Sequence, residues 1–214
     1  VLDIGCANGY STLEYLRRRS IKIHGVDYVP EMIECAKKRV ESLDSQLSKS
    51  VVFEVGSVLN IPFPDEHFDK VISTRVVINL GNWESQKEAL NQCVRVTKKG
   101  GKLLLSEATV QGLDKLNKLR REFGLEPIPI PSFNLYLDQD SIIREVEPSM
   151  ELLEIRNFAS TYFWGTRFLK PILAKLQNLH SVVPDPLSLM NEFFSLVPSY
   201  GDFGTQKLFV FRKK

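Results

Sequence analysis

Short apolar runs alternate with helical patterns through the first half of the chain, and this alternation restricts the possible folds more than any other feature. Val1–Ile4 precedes a helical stretch from about Ser11 to Arg19, and Ile21–Val26 precedes another running from Pro30 towards Val40. The runs Val51–Val55, Lys70–Ser73 and Lys102–Ser106 continue the series, with a helix over about Glu84–Val96. Strands separated by helices pair in parallel, because a parallel connection needs a crossover, and the crossovers cover both faces of the sheet. Met32, Ile33, Ala36 and Val40 recur at helical spacing behind Pro30, whose fixed φ suits a first helical turn. "KKGG" at Lys98–Gly101 reads as a helix stop followed by a turn.

Beyond Glu107 the pattern loosens. A helix is expected near Leu113–Phe123, after which "EPIPIPSF" forbids regular structure, since alternate prolines remove donors and fix φ. Asp138 or Asp140 is placed to cap a short helix to Val146, and Leu152–Phe158 and Lys207–Phe211 read as closing strands. Between the closing strands lies an insertion of about residues 160–204, with helical stretches near Phe168–Leu179 and Pro186–Leu196. Insertions of this length in a compact α/β domain usually supply a lid or a binding surface. Tyr162, Phe163, Trp164 and Phe168 fit an apolar cover packed on the domain better than a membrane-seeking helix.

With 214 residues, 43% of them hydrophobic, the chain can bury a substantial core as a single domain. A net charge of +2 gives no electrostatic footprint for nucleic acid or an acidic membrane surface. Cys6, Cys35 and Cys93 show neither CxxC spacing nor neighbouring His pairs, which disfavours a zinc site or a disulfide framework and points to a reducing cytoplasm. No apolar run reaches the ~20 residues of a membrane span. Because Val1 opens inside what reads as a core strand, residues before it are expected to have been removed or lost. The oligomeric expectation is a monomer or homodimer.

The chemistry concentrates in the first turn. Val1-Leu2-Asp3-Ile4 runs into Gly5, Cys6, Ala7 and Gly9, and a strand breaking into small residues before a helix brings backbone N–H groups close to a ligand. A dinucleotide fingerprint would need glycine at position 10, where Tyr10 stands, so a nicotinamide- or flavin-dependent oxidoreductase loses ground. "LDIGCANG" instead resembles the first motif of the class I S-adenosylmethionine-dependent methyltransferases, an acidic residue two before a G-x-G-x-G turn. Here Asp3, Gly5 and Gly9 match and Ala7 departs by one methyl group.

Further matches follow in order. "GVDYVPEMIECAKKR" resembles the second motif, which implies that Asp27 accepts hydrogen bonds from both ribose hydroxyls, with Tyr28 and Met32 packing near the adenosine. "GSVLNIPFPDEHFDKVIS" resembles the third and fourth motifs. Ser57 stands where the family has an Asp for the adenine amino group, and the N–H of Val58 is placed for the ring nitrogen. "RVTKKGGKLLLSE" matches the turn and strand after the fourth helix. Cys6 within the turn, and Thr74 and Arg75 just past the fourth strand, complete the expected cofactor set.

The resemblance implies a Rossmann-like, doubly wound α/β fold with a mostly parallel sheet and a helical insertion before the last strand. Residues 1–108 would form a cofactor-binding half and residues 109–214 an acceptor-binding half. The implied cofactor is S-adenosylmethionine, leaving as S-adenosylhomocysteine, and the implied partner is a small-molecule acceptor with no metal. Glu107, at the end of the fifth strand where ligands bind in open α/β sheets, is the candidate base, with Asn79, Arg75, Asn134 and Tyr136 as orienting groups. The many amide, Arg and Tyr groups suit an oxygen of a polar metabolite or sugar, while the aromatic insertion suits a lipid or quinone. A cofactor-binding protein without catalysis is the other open reading. Taken singly, Gly5 and Gly9 would only make a tight turn and Asp27 would only cap the next helix. His24, in a strand, and His67, in a polar turn, read as structural or solvated, and His180 in the insertion has no assigned role.

Overall fold

A computed structural model describes residues 1–177 and 188–214. The elements follow in chain order as β1 (Leu2–Ile4), α1 (Tyr10–Arg18), β2 (Ile23–Asp27), α2 (Pro30–Glu41), α3 (Ser45–Ser48), β3 (Val51–Val55) and β4 (Phe68–Thr74). A single 3-10 turn, Val77–Asn79, precedes α4 (Trp83–Val96), β5 (Thr97–Ala108), α5 (Val110–Glu122), α6 (Gln139–Val146) and β6 (Met150–Arg156). The insertion contributes α7 (Ser160–Trp164), a π-helical turn (Gly165–Leu169), α8 (Lys170–Leu176) and α9 (Leu189–Leu196), and β7 (Gln206–Lys213) closes the sheet.

Among the described residues, seven strands form one sheet in the order β3-β2-β1-β4-β5-β7-β6. The first five are parallel, and β7 runs antiparallel to both neighbours. The period of two along each strand divides the apolar side chains between two clusters. Leu2, Ile4, Val71, Leu103 and Leu105 share a core with Leu90 of α4 and Ile142 of α6, whereas Ile23, Val51 and Phe53 pack with Leu13 and Leu16 of α1 and Ile33 of α2.

The expected strands and helices of the first half lie where the apolar pattern puts them, with ends shifted by a residue or two except that β5 begins five residues early, and the short α3 is additional. Asp138 is the cap of α6, accepting from the Ser141 amide at 2.8 Å. The expected turn at Lys98–Gly101 takes a different form. Helix α4 does stop at Val96, but Thr97 already pairs with Phe68 while Lys102 pairs with Lys70, so "KKGG" is a bulge inside β5. Gly100 supplies the positive φ of 72° that such a bulge requires. In the insertion, the single helix expected from Phe168 is preceded by α7 and interrupted by the π turn. Residues 178 and 179, the start of the stretch near Pro186–Leu196, and His180 lie outside the described residues.

Candidate functional site

Strand β1 ends in the middle of the sheet, and its connection to α1 is held open by three left-handed residues, Gly5 (φ 75°), Ala7 (φ 47°) and Gly9 (φ 74°). A side chain at Gly5 would collide with Val76, and a Cβ on Gly9 would lie 2.7 Å from the Phe53 ring. Both glycines are therefore demanded by conformation and by space. The amides of Gly5 and Cys6 are tied to the Val26 carbonyl at 2.7 and 3.1 Å, and the Ala7 amide donates to Asp27 at 2.9 Å. The Cys6 side chain is buried, which pushes its thiol well above the ordinary range, so Cys6 contributes backbone and packing only.

Asp3 lies under this turn with 4% of its surface exposed, accepting from the Thr12 hydroxyl of α1 at 2.5 Å. Burial is the main cause that lifts its pKa to about 6, against the lowering effect of the Thr12 bond, with Asp27 adding repulsion. The carboxylate thus fastens the turn to α1 from beneath.

Asp27 ends β2 beside the turn. Its two oxygens accept one amide each, from Ala7 at 2.9 Å and Val29 at 3.0 Å, so two of four lone-pair sites remain for an adjacent pair of donors. Tyr28 (75%), next to it in the chain, Met32 (41%) in the first turn of α2 and Leu59 (37%) after β3 are large apolar groups left uncovered. A carboxylate with spare acceptor capacity, flanked by bare apolar surface and a close-approach backbone turn, fits a nucleoside. Ser57 lies on the connection after β3, where its Oγ accepts from the Leu59 amide at 3.1 Å, and the Val58 side chain is buried in the core.

At the end of β4, Thr74 is exposed, and Arg75 adopts a positive φ of 56°. Such strain in a non-glycine residue next to a ligand edge is a recurring mark of functional sites. The 3-10 turn that follows is organised by Glu107. One carboxylate oxygen accepts the amides of Val76 (2.9 Å) and Val77 (3.0 Å), the other that of Ile78 (3.4 Å), and the residue has no exposed surface. Burial pushes its pKa to about 7, opposed by the three amides and Arg75. The expectation that Glu107 faces an acceptor is therefore corrected: the carboxylate points into the protein and caps donors that would otherwise be orphaned. Asn79 stays at the surface, donating to the Arg75 carbonyl (2.6 Å) and accepting from Asn134 (2.7 Å). The structure therefore brings Arg75, Asn79 and Asn134 together and leaves Glu107 behind them. His24 and His67 pack against Phe63 and Phe68, at the opposite end of the strands.

A second concavity, of about 490 Å³, lies in the other half of the chain. Leu113 and Leu116 of α5, Ile128 and Pro129 of the proline-rich loop, and Tyr162 and Phe163 of α7 supply its apolar walls. Tyr136, expected as an orienting group, lines it too. Arg120, Arg167 and Lys170 also line it, and no sequence motif marks any of the three. Their only local signal is basic residues set among the aromatics of the insertion, and their convergence with α5 is tertiary. The segment around Tyr136 is tied to the turn after β4 and to the end of β5, since the Leu135 amide donates to the Ile78 carbonyl at 2.8 Å and the Leu137 amide to the Ala108 carbonyl at 3.1 Å.

An open α/β sheet with a glycine turn after its first strand and a carboxylate at the end of its second defines a Rossmann-like, nucleoside-binding protein. Residues 1–101 match the family described as a methyltransferase domain. Residues 1–101 thus form a methyltransferase domain similar to those of the class I S-adenosylmethionine-dependent enzymes, whose cofactor is S-adenosylmethionine. The chain is 27% identical over 153 residues to the uncharacterized methyltransferase YdaC of Bacillus subtilis, covering 71% of this chain and 79% of that one. Identity is 30% over 131 residues to a ubiquinone/menaquinone biosynthesis C-methyltransferase, UbiE, of Geobacter sp., covering 60% and 54%. It is 26% over 140 residues to a 27-O-demethylrifamycin SV methyltransferase of Amycolatopsis mediterranei, covering 64% and 50%; the chain thus spans about half the length of these last two relatives. Among solved structures, the 4+2 cyclase SpnF superposes with a TM-score of 0.64 at 19% identity, covering 99% of this chain and 74% of that one. A geranyl diphosphate methyltransferase superposes at 0.57 and 14% identity, covering 100% and 76%. The shared fold carries different reactions, so the acceptor has to be argued from this chain's own surface. No helix among the described residues is long and apolar enough to cross a membrane, and no group of three or more His, Cys, Asp or Glu among them could hold a metal.

Proposed function

We propose that this chain transfers a methyl group from S-adenosylmethionine to a small molecule with a substantial apolar body, seated between α5, the proline-rich loop and the insertion. The tie between the turn after β4 and the pocket wall carries the reading: Asn79 and Ile78, on that turn, are hydrogen bonded to Asn134 and Leu135, on the segment that leads to the pocket-lining Tyr136. A reacting atom held at that seam would lie beside the cofactor edge. The cofactor supplies a methyl group already activated by its sulfonium, so the chain's work is positioning and exclusion of water.

Asp27 takes the ribose hydroxyls with its two spare lone-pair sites, Tyr28 and Met32 cover the adenosine, and Ser57 with the Val58 amide serves the adenine edge. Asp3 and Glu107 act from beneath, the first bracing the glycine turn and the second the turn that presents Asn79. Asn79, Asn134 and Tyr136 orient the acceptor. The apolar walls favour an aromatic or lipid-like acceptor over a sugar, whose hydroxyls would lack partners there. A phenolic or enolic oxygen is the preferred nucleophile, because it gives up its proton readily and Glu107 is sealed from it.

Calorimetry with S-adenosylhomocysteine, followed by transfer of labelled methyl from S-adenosylmethionine to a panel of phenols, sugars and fatty acids, tests the reading. Binding of the homocysteine product with labelled phenols is expected. Binding with no turnover on any acceptor would leave a cofactor-binding protein without catalysis, and labelling confined to sugars would overturn the assignment of the acceptor.

A further inference from the structure

Three cations line the acceptor pocket, Arg120 from α5 and Arg167 and Lys170 from the insertion, while no Asp or Glu among the described residues lines it. Elsewhere on this half of the chain, cations near the insertion have acidic partners: Lys115 and Lys207 both pair with Asp202. None of the ion pairs among the described residues involves Arg120, Arg167 or Lys170.

Two of the three cations are also held in place by hydrogen bonds. Arg120 donates through Nε to the Glu126 carbonyl (2.8 Å) and through Nη1 to the Arg167 carbonyl, which draws the proline-rich loop and the π turn onto one guanidinium. Lys170 is held by Ser188 at 3.1 Å. Arg167 lies within the π turn, whose extra residue per turn shifts the side chains that follow it; such turns are frequent at ligand sites. Gly165 makes that turn possible, since any side chain there would strike the Phe194 ring. Burial first, and the neighbouring Arg167 second, lower the Arg120 pKa.

We infer that the pocket recognises its acceptor through a negatively charged group, a carboxylate or a phosphate, gripped by Arg120, Arg167 and Lys170 while the apolar body packs on Leu113, Ile128 and Phe163. The inference rests on the proposed function in taking this pocket as the acceptor site. Arg167 is exposed and Arg120 and Lys170 are half-buried, so the preference for an anion comes from three cations facing a lining without an acidic residue among the described residues and from the planar pair of donors that a guanidinium offers. A volume of about 490 Å³ suits a small molecule, not a polymer.

Four probes with one apolar body separate the contributions: 2-naphthoate, 2-naphthyl phosphate, neutral 2-naphthamide and 2-naphthylmethylammonium, each titrated calorimetrically into the chain saturated with S-adenosylhomocysteine. At least one anion is expected to bind about tenfold or more tighter than the amide, and the ammonium most weakly. Preference for the carboxylate or for the phosphate identifies which anion the site was shaped for. The double variant R167Q/K170Q, which leaves the backbone bonds of Arg120 in place, should lose most of the anion preference and keep the affinity for the amide. Equal affinity for anions and amide, a preference unchanged in the double variant, or no binding of either anion at millimolar concentration overturns the inference. Failure of S-adenosylhomocysteine itself to bind would instead overturn the methyltransferase reading, so the two failures are distinguishable.

Discussion

The backbone amide of Val77 donates to the carboxylate of Glu107 at 3.0 Å, joining the turn after β4 to the end of β5 across 30 residues of sequence. Two neighbouring amides share the same carboxylate, so one buried side chain sets the conformation of the segment that presents Asn79 and carries the strained Arg75.

This arrangement predicts a pH dependence of stability. Burial raises Glu107 from an ordinary 4.5 to about 7, so between those values the unfolded chain releases a proton that the folded chain retains. Stability contributed by this group is therefore complete below pH 4.5 and falls as pH rises to about 7, by roughly 3 kcal/mol at 1.36 kcal/mol per pH unit. Urea denaturation of the wild type and of Glu107→Gln across that range should show the wild type losing ground to the variant. Parallel profiles would mean that Glu107 does not titrate there.

Asp27→Ala should remove a charge-assisted acceptor for the ribose and weaken S-adenosylhomocysteine binding by ~30–100-fold, the equivalent of about 2–3 kcal/mol. Circular dichroism checks that the variant remains folded, since the Ala7 and Val29 amides lose a partner as well. Affinity equal to that of the parent would move the ribose elsewhere.

Ala7 is an L-residue with φ of 47° in the turn where the family pattern has glycine. The left-handed region costs such a residue ~1–2 kcal/mol, partly offset by the greater freedom of glycine in the unfolded chain. Ala7→Gly is expected to stabilise the protein by about 0.5–1 kcal/mol and to bind S-adenosylhomocysteine at least as tightly. Gly5→Ala, which places a methyl group against Val76, is expected to destabilise by more than ~2 kcal/mol. Thermal melts of the two variants should shift in opposite directions.

The turn after β1 is legible in the sequence because its geometry is local. Five consecutive residues fix the turn from Gly5 to Gly9, and Asp27 follows one helix later at the end of a strand whose apolar run is plain. The cap of α6 is legible to within two residues, as Asp138 or Asp140, for the same reason, and the structure selects Asp138. Glu107 was misplaced because strand position says which end of the sheet a residue occupies, not whether a turn from 30 residues away closes over it. The bulge at Gly100 was hidden because a helix stop and a strand bulge both call for glycine with positive φ. The basic cluster was invisible because Arg120 and Arg167 meet only once α5 and the insertion have packed together.

The insertion leaves and rejoins the core at one point, where a Cβ on Gly204 would lie 3.3 Å from the Ser160 amide. Replacing residues 161–203 with a short polar linker should therefore leave the sheet closed. S-adenosylhomocysteine binding is expected to persist within about threefold and methyl transfer to disappear. Transfer surviving in a variant shown to be folded would place the acceptor in the groove beside Asn79 and Asn134 instead.

Strand β7 lies between β5 and β6, although it is the last of the three in sequence. During synthesis from the N-terminus, β6 has no partner to pair with until residues 206–213 have emerged, and β5 meanwhile presents an open edge carrying the apolar residues Leu103 and Leu105. The final strand thus acts as a keystone: pairing that spans a hundred residues, such as Ser106 with Leu208, comes late, and until then the nascent chain carries an edge able to join that of a neighbour.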